Sequence, residues 1–280
     1  MWDDEKWLVS EMLDFLSKNI PISGAAGLST GPTSDAPPTE QGSQAQSPII
    51  QSVVEAKALL KKGVDTGNAE TVGKARDLFL NALMKSPENA AVLEYDIALA
   101  DFRLIVLAMS SSDPAGADRD VVEGERYLES AMRRDPSFGE AFALYGYFLG
   151  LETAFHPDRA MTLGMKSYQY FAQAEEKSPA DPRVHLLRGG YTLYVPEAYG
   201  GGPDRALPFL EKAAGLFDRE VAGDPLKPDW GKDELYVYLG LVYKRKNDLG
   251  KAREMLTKAL TVKPDFGWAK AELAALDKSK

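Results

Sequence analysis

One spacing constrains this chain more than any other feature. Within residues 236–264, Leu239, Gly240, Tyr243, Ala252, Leu256, Ala259 and Pro264 follow Tyr236 at offsets of 3, 4, 7, 16, 20, 23 and 28. Leu239 and Tyr243 stand one helical turn apart and give a first helix its apolar stripe. Gly240 and Ala252 are small where two helices must approach closely, and Ala259 keeps the next contact tight. Pro264 ends the second helix, because it has no backbone N–H to donate. The segment therefore predicts a helical hairpin with its two helices in near contact.

The pattern returns in looser form along the chain. Ala75, Phe79, Ala82 and Pro87 repeat the second-helix spacing. So do Gly124, Leu128, Ala131 and Pro136, then Ser167, Phe171, Ala174 and Pro179. Ala206, Leu210 and Ala213 begin a fifth copy, whose ending is stretched to Pro228. First helices are marked by Phe142, Tyr145, Gly146 and Leu149, by Tyr95, Ala98, Leu99 and Phe102, and by Val184, Leu187 and Tyr191. A helix over about 50–62 supplies the first member of the first pair, and 268–280 reads as a helix covering the open face of the last unit. Successive terminal prolines are 49, 43, 49 and 36 residues apart, so the extra length predicts loops between paired helices, chiefly over 110–120 and 194–203. No segment demands a strand.

These spacings resemble the tetratricopeptide repeat (TPR), a helix–turn–helix unit of about 34 residues. The resemblance covers 48–280 and is most specific in the final unit. It implies an all-α, right-handed superhelical solenoid of about five helix pairs with a C-terminal capping helix. It also implies a non-catalytic scaffold that binds a protein or peptide through its concave groove and inter-helix loops. The groove positions of the family fall on Asp96, Arg103, Glu140, Tyr147, His185, Leu193, Val237, Leu241, Lys244 and Arg245. Asp96 and Ala100 depart from the lysine and asparagine clamp of TPR domains that hold chaperone C-termini, so that specificity is not implied. The string of Leu187, Tyr191, Pro196, Gly200, Gly201, Ala206 and Leu210 is also similar to the bacterial, periplasmic TPR components associated with TRAP-type solute transporters. That second resemblance implies a small-ligand carrier, with Tyr147, Tyr191, Tyr194 and Tyr199 lining an apolar pocket. An open groove favours the scaffold; a closed, aromatic-lined tunnel or a trimer favours the carrier.

Composition narrows the partners. Lys and Arg total 33 against 42 Asp and Glu, a net charge of −9, whereas nucleic acids and anionic membranes call for a basic footprint. No cysteine is present, which removes disulfides, thiolate metal sites and cysteine nucleophiles. No apolar run reaches the roughly 20 residues of a membrane span. The acidic start, Met1-Trp2-Asp3-Asp4-Glu5, lacks the basic region of an export signal, so the expectation is a cytoplasmic protein, or a periplasmic one if a leader has been removed.

The first 47 residues differ from the rest. Trp7, Leu8, Met12, Phe15 and Leu16 mark an amphipathic helix over 1–20, whose apolar stripe calls for docking in cis or self-association. Residues 21–47, rich in Gly, Ser and Pro, read as a flexible linker. Neither of the two histidines, His156 and His185, has a recognisable nucleophile or acid partner, and no carboxylate spacing builds a metal site or an acid–base pair. No enzyme, cofactor or metal is therefore expected. Gly200-Gly201-Gly202 follows a helix without the lysine of a phosphate loop, and reads as a flexible link into a helix near Asp204. Tyr194 and Tyr199, flanking Pro196, offer an aromatic contact surface beside it. Asp229 is placed to cap the next helix, and Trp230 to wedge against the preceding pair.

Overall fold

A computed structural model describes residues 47–110, 114–221 and 223–278. The expected 1–20 helix and nearly all of the 21–47 linker lie outside these residues. The described chain is built from helices α1 (Pro48–Thr66), α2 (Ala69–Lys85), α3 (Ala90–Ser110), α4 (Pro114–Arg134), α5 (Gly139–Phe155) and α6 (Ala160–Lys177). They are followed by α7 (Pro182–Tyr194), α8 (Pro203–Phe217), α9 (Lys232–Arg245), α10 (Leu249–Val262) and α11 (Gly267–Lys278). No strand occurs among the described residues. The architecture is five stacked hairpins, α1/α2 through α9/α10, closed by α11 over the last. No described helix is long and apolar enough to cross a membrane.

Local chemistry sets the boundaries. The side chains of Asn68, Asp181 and Asp248 accept backbone N–H bonds from Thr71, Arg183 and Lys251, which caps α2, α7 and α10. The helices α2, α4, α6 and α10 each stop two residues before a proline, at Pro87, Pro136, Pro179 and Pro264.

The two helix classes bury differently. First helices are sandwiched: α5 buries every residue from Gly139 to Glu152. Second helices keep one wet face, and α6 buries only Leu163, Ser167, Phe171 and Ala174. Full burial of a side chain such as Phe171 contributes roughly 1.5–3 kcal/mol. At the hairpin crossings a Cβ on Gly240 would lie 2.7 Å from Leu256 Cγ, and one on Gly189 2.6 Å from Leu210 Cγ. Between α5 and α6, Ser167 Oγ donates to the carbonyl of Gly146 at 2.6 Å.

Four expectations change. The 110–120 stretch is largely helix, because Pro114 suits the first turn of α4, where a missing N–H costs nothing. The Gly200–Gly202 run is a built turn. Gly200 and Gly202 have φ of 84° and 94°, a Cβ on Gly201 would collide with the Val195 carbonyl, and Gly202 N–H donates to Thr192 O at 2.9 Å. Gly231, not Asp229, occupies the cap position of α9, since its φ of 104° excludes most side chains. Trp230 reaches past its neighbours to the second hairpin, where its Nε1–H donates to Tyr95 Oη at 3.0 Å.

Candidate ligand-binding site

The Trp230 contact belongs to a wider closure. In a solenoid each repeat touches only its neighbours, yet here the ends of the stack also meet. Arg103 on α3 donates to both carboxylate oxygens of Glu234 on α9, at 3.1 and 2.5 Å. Its guanidinium lies over the rings of Phe102 and Trp230, each centroid 5.1 Å away. Lys263 pairs with Asp65 at the end of α1 and approaches Asp233 at 3.5 Å. Burial outweighs the pull of Arg103 and holds the Glu234 carboxyl above its ordinary range. The curved stack thus closes on itself around an interior.

Most of the groove positions lie out of solvent, some through closure and more through packing between neighbouring hairpins. Asp96 is buried beneath the link between α8 and α9. Glu140 is buried 3.9 Å from Arg183. His185 is a core residue, 1% exposed, with Nε2 at 2.9 Å from the carbonyl of Pro179; burial lowers its pKa. Lys244 pairs with the buried Glu272 at 2.9 Å. Arg245 donates to Leu193 O and lies over the Tyr194 ring, 5.1 Å from its centroid. Leu193, Val237 and Leu241 are core. These side chains fill and brace the concave face.

Four of the predicted residues do converge. Tyr147 from α5, Tyr194 from the end of α7 and Tyr199 from the following turn line one cavity of about 290 Å³, as does Tyr191. Tyr191 sits at its centre, with ring centroids 5.7 Å from Tyr168 and 6.3 Å from Tyr147, both edge-to-face. Gly150 makes this possible, because a Cβ there would collide with the Tyr191 ring. Burial raises Tyr147 and Tyr191 to about 12, so both phenols stay neutral at physiological pH. Tyr147 Oη lies 3.4 Å from Tyr238 Oη across the interior. Tyr147, Leu151 and Tyr194 also wall a smaller cavity of about 90 Å³.

The opposite wall was not anticipated. It comes from the wet face of α6, where Met161, Gly164, Met165 and Tyr168 follow an i, i+3, i+4, i+7 spacing. Met161 and Met165 are 62% and 56% exposed, and with Tyr199 at 46% they form an apolar rim. Flexible thioethers beside aromatic rings adapt to ligands of varied outline. Chemically the cavity offers stacking faces, thioethers and neutral hydroxyls, and no paired carboxylates.

No protein-family model matches the chain, and no curated protein matches it in sequence. Solved structures do. The HusA haemophore from Porphyromonas gingivalis is 24% identical with a TM-score of 0.56, over 72% of this chain and 96% of that one. TTC0263, a thermophilic TPR protein of Thermus thermophilus, is 18% identical with a TM-score of 0.50, over 79% and 98%. The five stacked hairpins, their glycine-mediated crossings and these likenesses together assign the fold to the TPR-type helical solenoids.

Proposed function

We propose that this chain is a non-catalytic binding protein that holds a small, largely apolar aromatic molecule in the cavity between α5, α6 and α7. The observation that carries this reading is the meeting of Tyr147, Tyr191, Tyr194 and Tyr199 on one cavity rimmed by Met161 and Met165. Such a site, apolar with a few oriented hydroxyls, is the usual form of a small-molecule pocket. A peptide laid along the concave face would have to displace the Arg103–Glu234 and Lys244–Glu272 pairs, which disfavours the groove as its seat. The haemophore likeness makes a porphyrin a sensible first probe.

TPR-type scaffolds serve protein interactions, and a protein partner of this chain would engage the exposed rim of Met161, Met165 and Tyr199. A carrier has to deliver its ligand, so the two roles are compatible.

The test uses Gly164→Leu. A Cβ at Gly164 meets nothing nearer than Tyr191 Oη at 4.0 Å, so leucine enters empty space and improves helix propensity. Haemin and an uncharged polycyclic fluorophore are titrated into both proteins. Saturable one-to-one binding by the parent, weakened at least tenfold in Gly164→Leu at an undiminished melting temperature, supports the reading. No saturable binding of either probe, or equal binding by both proteins, rejects it.

A further inference from the structure

A third, larger cavity lies at the seam where the stack closes, and its chemistry is opposite to that of the tyrosine site. It measures about 420 Å³ and sits between α1, α3 and the link from α8 to α9. Its lining carries five basic and five acidic side chains. Four of the five bases are matched within the fold, and the fifth, Lys61, is exposed to solvent. Arg103 is paired with Glu234, and Lys263 with Asp65 and Asp233. Lys232 pairs with Asp218 at 3.2 Å. Lys57 donates to the carbonyl oxygens of Pro225 and Lys227 and stands 3.8 Å from Asp229.

Asp96 is the buried exception. It is 2% exposed, and its Oδ2 has no hydrogen-bond partner. The cation near it, Lys57, has turned its protons to the backbone of the link. A buried acceptor left without a donor costs roughly 1–3 kcal/mol, and more when charged. Burial, reinforced by Asp229 and opposed by Lys57, holds the Asp96 carboxyl up at about 7. Asp96 lies on the wall of the cavity, and an acceptor left unpaired there calls for a donor that the fold itself does not supply.

We propose that this seam cavity binds a small organic ammonium compound, whose N–H groups donate to Asp96 with Asp229 at the rim. A bare metal ion is the poorer fit, because no group of three His, Asp or Glu side chains converges among the described residues. An alkylammonium supplies both the donor and the charge that Asp96 lacks, and its carbon chain has space beside Trp230. The site is independent of the tyrosine cavity and stands whether or not that cavity holds an aromatic ligand.

Calorimetric titration of the full chain with 1,4-diaminobutane, n-butylamine and 1,4-butanediol tests the assignment. Saturable one-to-one binding of an amine, with no binding of the diol, is expected. Asp96→Asn, which keeps size and shape, weakens amine binding at least tenfold, while Asp265→Asn, at an almost fully exposed carboxylate, leaves it unchanged. Gly164→Leu leaves it unchanged as well, which separates this site from the proposed aromatic one. Absence of amine binding at millimolar concentration, equal affinity for the diol, or undiminished affinity in a folded Asp96→Asn overturns the proposal.

Discussion

Asp96 shows how one residue couples burial to pH. Its carboxyl is held near pH 7 in the folded chain, against an ordinary value of 3.8. Between about pH 4 and pH 7 the folded state keeps a proton that the unfolded state has lost. Stability therefore falls as pH rises through that window, and the penalty is complete above it. At about 1.4 kcal/mol per unit, its ceiling is on the order of 4 kcal/mol. Without ligand, Asp96→Asn should raise the melting temperature at pH 8 and lose that advantage by pH 4. Thermal scans at the two pH values check this; a difference that does not change with pH rules out a neutralised Asp96. The sequence pointed to Asp96 as a groove residue, but its burial depends on a link more than 120 positions away, which no local pattern encodes.

At the scale of elements, the crossings do what the small residues require. The Leu256 side chain occupies the space where a Gly240 Cβ would project. Gly240→Leu should therefore destabilise the protein by about 1–3 kcal/mol or more through overpacking. Gly73→Ala, where nothing lies within 4 Å of the new Cβ, should be neutral or gain up to about 1 kcal/mol from helix propensity. Denaturant unfolding of both variants measures the contrast; equal midpoints would show that α9 and α10 are not in close contact at Gly240. The hairpins were legible in the sequence because a crossing joins residues a few turns apart. Helix α6 was only half legible. The repeat spacing marks Ser167, Phe171 and Ala174 of its core stripe, but it marks neither Leu163 nor the second stripe of Met161, Gly164, Met165 and Tyr168. That stripe has helical spacing of its own, and a second apolar stripe on one helix is a readable sign of a further contact surface.

At the scale of the molecule, closure distinguishes this chain from an open stack. The Arg103–Glu234 pair is largely buried, with side-chain exposures of 12% and 14%. Arg103→Ala strands the Glu234 charge, and breaking a buried pair this way typically costs about 3–5 kcal/mol. Hydrogen exchange should then quicken in the 223–231 link and in α1 while α5 and α6 keep their protection. Uniform protection across the chain would mean that the seam closes without this pair.

The sequence by itself determined the helices, their pairing into five hairpins and the small residues at the crossings. Those are contacts between near neighbours, and helical periodicity records them directly. Only the tertiary structure decided which faces turn inward, that the ends of the stack meet, and that five tyrosines share one cavity. The contacts responsible join residues 91, 131 and 198 positions apart. They follow from small rotations accumulated over successive units, a sum that no single repeat carries in its own spacing.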